Sequence, residues 1–259
     1  MSARERDWTK SPAMDVMRKM FDDAIEPHIK PNLQTFSLLE PHFETLTVSG
    51  DPNSKTPYWE NGWFPPLDAI SLCGFIAKTK PQRYIEVGSG NSTKYARWII
   101  ECLGLDTKIV SIDPLPRAEI DSICDEVIRQ PLENVPTYFF NTLDSNDLIF
   151  VDNSHYAFQN SDVTVFFTEI LPILPPGTLV GIHDIFLPYD YPQAWVARKY
   201  NEQYLLAAYL FGGAGNSSIE FTSHYLLRNF PEQLKSFFPK LAANNIQLDQ
   251  GGAFWMQKR

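Results

Sequence analysis

The chain has 259 residues, of which 44% are hydrophobic and 14% aromatic; that suffices for one large α/β domain and argues against wholesale disorder. Against 31 acidic residues stand 22 basic ones, a formal charge of -9, with no Lys/Arg-rich run to reverse the field locally. Nucleic acid and anionic membrane surfaces are therefore not expected partners.

The opening "MSARERDWTK" is charged and lacks an apolar secretion core, and no apolar run is long enough to span a bilayer. A cytoplasmic location is the expectation. Cys73, Cys102 and Cys124 show no CxxC spacing. Cys102 and Cys124 fall in apolar surroundings, which reads as reduced, buried thiols.

Residues 1–64 differ in texture from the rest of the chain and read as an N-terminal helical and loop extension with an aromatic lid segment. "SPAMDVMRKMFDDAIEPH" spaces Met14, Met17, Met20, Phe21 and Ile25 helically behind Ser11-Pro12, and Pro27, Pro31 and Pro41 should then break the chain. "TPYWENGWFPP" is an aromatic loop. From Pro65 a helix is expected, with Leu67, Ile70, Leu72 and Ile76 on its apolar side.

Residues 65–259 form the second predicted unit. Strands are expected at 83–87, 107–112, 125–129, 147–152 and 178–184, with intervening helices in "STKYARWIIECLG", "AEIDSIC" and "DVTVFFTEILPIL". One long helix should run from Pro192 to Gly212–Gly213. "SIEFTSHYLLR" and "AFWMQK" read as final strands around the helix "PEQLKSFFPKLAANN". Such alternation predicts a mainly parallel sheet with helices on both faces.

The turn "EVGSGNST" resembles a dinucleotide-binding loop, but Thr93 stands where a third glycine would be. Gly88 and Gly90 allow the tight turn, and Asn91, Ser92 and Thr93 cap the next helix while offering polar groups. A ligand without pyrophosphate needs no third glycine. Glu86 suits a cationic amine, and Asp113, ending the next strand in "SIDP", can accept both hydroxyls of a ribose. Ribose, ammonium and no phosphate together describe S-adenosylmethionine.

"IEVGSGNST" followed by "VSIDP", with "FVDNSH" and the closing strand, resembles the class I S-adenosylmethionine-dependent methyltransferases over residues 83–259. The resemblance implies a Rossmann-like seven-stranded sheet with an antiparallel last strand. It implies that Glu86, Gly88, Ser89 and Gly90 border the methionine part of the cofactor, with Ser92 beside them. Asp113 would bind the ribose, Leu132 and Glu133 would lie near the adenine, and Asp152 would complete the cofactor site.

The strands ending in "VDNSHY" and "GIHDIF" are neighbours in that fold, so Asp152, His155, His183 and Asp184 should share one pocket. His155 is the candidate base for deprotonating a hydroxyl acceptor, with Asp152 beside it.

The arrangement is similar to the macrocin- and mycinamicin-type sugar O-methyltransferases, which implies a divalent metal on Asp152, His183 and Asp184. His183 stands where that family has a carboxylate; a nitrogen ligand there would tilt a site from magnesium toward a transition metal, and packing or hydrogen-bonding beside the cofactor is the other role open to it. Trp59, Trp63, Tyr189 and Tyr191 offer flat surfaces for a small-molecule acceptor. Family members are often homo-oligomers. Two other readings stay open: a protein of this fold that transfers no methyl group, such as a binding subunit or hydroxylase-like enzyme, and an NAD-dependent oxidoreductase.

Overall fold

The computed structural model describes residues 7–259. The chain begins with α1 (Pro12–Ala24), α2 (Lys30–Ser37), α3 (Glu40–Phe43) and α4 (Pro66–Thr79). The alternating part runs β1 (Arg83–Val87), α5 (Asn91–Cys102), β2 (Lys108–Ile112), β3 (Glu126–Ile128), β4 (Leu148–Val151), α6 (Asp162–Val165) and β5 (Leu179–Ile182). It closes with α7 (Glu202–Phe211), β6 (Ser218–Thr222), α8 (Ser223–Asn229), α9 (Pro231–Phe237), α10 (Pro239–Ala243) and β7 (Phe254–Gln257).

The strands form one seven-stranded sheet in the order β3-β2-β1-β4-β5-β7-β6. All neighbours are parallel except those of β7, which is antiparallel to both β5 and β6. The Rossmann-like sheet expected from the sequence is thus the observed one. β4 and β5 are apolar throughout and buried on both faces, as central strands covered by helices must be, and β1 is buried from Tyr84 to Val87 although it carries Glu86. Gly181 on β5 leaves room for its neighbours: a Cβ there would lie 2.6 Å from both Phe150 and Trp255. The shared C-terminal edge of β1, β2, β4 and β5 is where such sheets bind ligands.

The N-terminal helices join the same apolar core, through Met14, Phe21, Phe36 and Phe43. Phe36 meets Phe75 of α4 and Phe221 of β6 edge-on at 4.9 and 5.6 Å. Asn32 donates to the Glu220 carbonyl at 2.9 Å, and Lys78 donates to Asn32 at 2.6 Å.

Several local expectations are corrected. Pro27 and Pro31 do not break the first helix. A widened turn at Ile25–Ile29, closed by the Lys30 amide on the Ile25 carbonyl, carries it through into α2. The stretch 118–124 makes only a 3-10 turn at Asp121–Ile123, whose last carbonyl is held by Arg97. The helix expected from Pro192 is broken: a 3-10 turn (Gln193–Arg198) ends at Lys199 with φ of 58°, and α7 starts only at Glu202.

The strand expected through Arg228 stops at Thr222, because the Ser223 amide turns to the Ala253 carbonyl and α8 begins. Pro239, lacking an amide hydrogen, divides the next helix into α9 and α10. Cys102 is exposed rather than buried, since it ends α5 on the outer side.

Candidate active site

The β1–α5 turn is built around Gly88. Its φ is +81°, and a Cβ there would sit 1.8 Å from the Asp152 carbonyl oxygen, so only glycine lets the turn pass the end of β4. Beyond it, the Ser89 amide donates to the Asp113 carboxylate at 2.8 Å, tying the turn to the end of β2. The Gly90 amide donates to the Thr93 hydroxyl at 3.0 Å, which closes the first turn of α5.

Over this turn lies a cavity of about 610 Å³. Gly88, Ser89, Gly90, Ser92, Asp113, Leu132, Glu133 and Asp152 all line it. Glu86 does not. It is fully buried beneath the turn, where it accepts from the Tyr84 hydroxyl at 2.7 Å and from Thr93 Oγ1. Burial pushes its carboxyl up to about 7, and both its oxygens are engaged by hydroxyls of the turn's own frame. Sequence reasoning missed Arg117 and Phe158, which also line the cavity; they sit in irregular segments with no periodic or motif signal.

A second cavity of about 650 Å³ adjoins the first. Trp63 and Phe64 line both, and so form the partition. Asn61 shapes this loop: its side-chain oxygen accepts from the amides of Trp63 and Phe64 at 3.0 and 2.8 Å. Trp59 is buried and lines the second cavity, whereas Trp63 is 62% exposed with Arg117 stacked 4.7 Å from its ring.

Tyr189 and Tyr191, expected to contact an acceptor, line neither cavity. Tyr189 packs against His224, and the Tyr191 hydroxyl accepts from the Gln203 amide at 3.2 Å. Phe186, Trp195 and His224 take their place in the wall. Phe186 and Trp195 bound the segment "FLPYDYPQAW", whose aromatic run reads in the sequence as acceptor-pocket wall, whereas His224 reaches the wall from α8 and carried no such signal.

Four groups meet where the two cavities approach. Asp152 lines the first cavity and Asp184 the second, while His155 and His183 stand behind them, 5% and 3% exposed. His155 Nε2 lies 3.3 Å from Asp152 and 3.4 Å from Asp184. His183 Nδ1 lies 3.4 and 3.6 Å from the same two carboxylates, yet has no hydrogen-bond partner.

Each ring is fixed from its far side by a buried carboxylate. His183 Nε2 is 3.0 Å from Asp68, which also accepts from the Gly252 and Ala253 amides at 2.8 and 2.9 Å. His155 Nδ1 is 2.9 Å from Glu202. Glu202 reaches it because α7 starts late: the Asn201 amide donates to the His155 carbonyl at 3.0 Å, and Asn201 Oδ1 accepts from the Ala157 amide.

His155 and Asp184 both hold positive φ, 62° and 56°, a conformation costly outside glycine and characteristic of functional sites. Burial alone would depress both histidines, but the surrounding carboxylates outweigh it and raise them well above the ordinary imidazole range. Burial raises Asp184. Asp152 is held below the usual carboxylate range, because the positive charges of His183 and His155 exceed its burial penalty. His155 itself is not among the residues lining either cavity; it stands directly behind Asp152 and Asp184, which are.

Residues 85–185 match the family model described as a methyltransferase domain. The matched segment runs from within β1 to just beyond β5, and carries the Gly88 turn, Asp113, Asp152, His155, His183 and Asp184. Asp68 and Glu202 lie outside it.

An uncharacterized protein of Archaeoglobus fulgidus is 35% identical over 101 residues, which are 36% of this chain and 46% of the relative. The match thus spans under half the length of that curated relative. Among solved structures, the [4+2]-cyclase SpnF is similar with a TM-score of 0.44 at 17% identity, over 87% of this chain and 94% of that one. The methyltransferase PaMTH1 of Podospora anserina, bound to SAH, gives 0.37 at 16% identity over 74% and 78%. An O-methyltransferase of Bacillus cereus in complex with SAH gives 0.38 at 12% identity over 94% and 97%. Among the described residues, no helix is long and apolar enough to cross a membrane.

Proposed function

We propose that the chain transfers the methyl group of S-adenosylmethionine to a hydroxyl of a small acceptor, such as a sugar-containing metabolite. The observation that carries this reading is the pair of cavities divided by Trp63 and Phe64, with Asp152 facing one and Asp184 the other. The methyltransferase-domain match over residues 85–185 supports it.

In this reading the first cavity takes the cofactor. Asp113 accepts from the Ser89 and Leu115 amides at 2.8 and 2.7 Å, and a carboxylate has further lone pairs for the two ribose hydroxyls. Leu132 and Glu133 face the adenine. Asp152 holds its negative charge toward the sulfonium end, which favours a cationic ligand. The acceptor enters the second cavity between Trp59, Phe186 and Trp195.

Transfer is an in-line displacement: the sulfur–methyl bond breaks as the oxygen–methyl bond forms, and the sulfur keeps the electron pair. The acceptor's proton passes to Asp184, the carboxylate on the acceptor side. Phe64, buried between the two cavities, keeps water from the junction.

Calorimetric titration with S-adenosylhomocysteine tests the cofactor assignment. Micromolar binding is expected, with a loss of at least about tenfold in Asp113→Ala, since two charge-assisted hydrogen bonds disappear. No binding to the folded wild-type protein would overturn the reading.

A further inference from the structure

We propose that the second cavity selects acceptors that carry a protonated amine on a flat apolar body, with Glu60 and Asp249 holding the ammonium and the hydroxyl end lying at Asp184. The cavity's role as acceptor site rests on the methyl-transfer reading; the charge preference belongs to its walls alone.

The first observation is the sign of the charge. Four carboxylates line this cavity, from Glu60, Asp68, Asp184 and Asp249, and among the described residues no lysine or arginine does. His224 in the wall adds no positive charge at neutral pH, because burial, with Arg228 nearby, pushes its imidazole down to about 4. Arg198, 3.9 Å from the Trp195 ring, and Arg117, 4.7 Å from the Trp63 ring, stay outside the lining. A recess walled by one sign of charge and by low-dielectric rings concentrates the opposite sign.

The second observation is which acids are free. Asp68 is taken by His183 and by the Gly252 and Ala253 amides, and Asp184 stands against both histidines. Glu60 and Asp249 are exposed in the lining and left unpaired among the described residues. Methyl transfer as derived above gives them nothing to do. Their positions are nonetheless fixed by the backbone. The Glu60 amide donates to the Val48 carbonyl at 2.8 Å, and buried Ile246 and Leu248 anchor the segment that carries Asp249. Gly252 lets that segment pass close to the site, since a Cβ there would lie 3.1 Å from Asp184 Cα.

The third observation is the contrast between the two ends. Asp184 is partly buried and lies 3.6 Å from His183 Nδ1, which is buried without a hydrogen-bond partner, so the deep end still lacks a polar group. Trp59, Phe186 and Trp195 supply ring surface in the wall. Such rings take flat apolar bodies and favour an ammonium over an uncharged group. A hydroxyl turned inward, a ring along the aromatic wall and an ammonium at the two exposed carboxylates satisfies all three conditions. An acceptor with a carboxylate or phosphate in place of the amine would meet like charges instead.

Three catechols of similar size separate charge from shape: dopamine is cationic, hydroxytyrosol uncharged and 3,4-dihydroxyphenylacetate anionic. The full-length protein is titrated with each by calorimetry, with and without saturating S-adenosylhomocysteine. Dopamine should bind about five- to tenfold tighter than hydroxytyrosol, and hydroxytyrosol tighter than the anion by a similar factor, with both gaps shrinking as salt is raised. Combining Glu60→Gln with Asp249→Asn, which keep side-chain size, should bring the three affinities within about twofold of one another and leave S-adenosylhomocysteine affinity unchanged. Failure of dopamine to bind, equal or tighter binding of the anion, or an unaltered preference in the folded double variant would each overturn the proposal. S-adenosylhomocysteine binding without a charge preference removes only this proposal. A charge preference without S-adenosylhomocysteine binding removes the methyl-transfer reading and leaves a cation-selective cavity.

Discussion

Glu86 is an acid on a strand next to a glycine turn, and from the sequence alone it reads as a ligand for a cationic amine. In the folded chain it points down, fully buried between Tyr84 and Thr93. Its carboxyl, pushed up to about 7 by burial, gives a stability signature. Below the unfolded-state value of 4.5 both states hold the proton and the group is neutral toward folding. Between 4.5 and about 7 the unfolded chain releases a proton that the folded one retains, so stability falls with rising pH, and above about 7 the penalty is constant. Glu86→Gln removes that penalty. Urea unfolding should show the variant more stable than wild type by up to about 3 kcal/mol at about pH 8, with the gap closing toward about pH 4.5. A gap that widens on acidification would contradict this assignment.

At the scale of elements, the β1–α5 turn and the delayed start of α7 decide where the chemistry sits. The turn is legible in the sequence because glycine at +81° has a local steric cause, sharpened by the Asp152 carbonyl only 1.8 Å from a built Cβ. Gly88→Ala should therefore push β1 and β4 apart at their ends. The expected cost is about 1–3 kcal/mol in urea unfolding, with S-adenosylhomocysteine affinity lowered more than about tenfold by calorimetry. Unchanged affinity in the folded variant would mean that the turn does not shape the cofactor cavity.

The break at Lys199–Asn201 carried no such signal. "PQAWVARKYNEQ" has helical composition, and only the contacts from Asn201 to His155 and Ala157 stop it. A side chain competing for backbone groups in a distant loop leaves no trace in local periodicity.

For the molecule as a whole, the N-terminal segment is tied into the same core as the sheet. Glu40 in α3 accepts from the amides of Lys240 and Leu241 at 2.7 and 3.0 Å, so it caps α10 from 200 positions away in the chain. Glu40→Ala leaves those two amides without a partner in a site that is 6% exposed. A loss of about 1–2 kcal/mol is expected in urea unfolding. Calorimetry should give unchanged S-adenosylhomocysteine affinity, because Glu40 lines neither cavity. Equal stability of variant and wild type would show that α10 does not depend on this cap.

Neighbours a few residues apart already dictate the buried apolar strands alternating with helices, the Gly88 turn and a carboxylate at the end of β2. Short-range sterics and hydrophobic periodicity are enough for these. Which groups face the two cavities and which stand behind them depends on long-range packing. Asp68 meets His183 across 115 positions and Glu202 meets His155 across 47, so their pairing is a product of packing that no local pattern encodes. The same packing withdrew Glu86, Tyr189 and Tyr191 from the cavities and brought His155 between Asp152 and Asp184. Side-chain direction at a strand end is set by what the opposite elements leave room for.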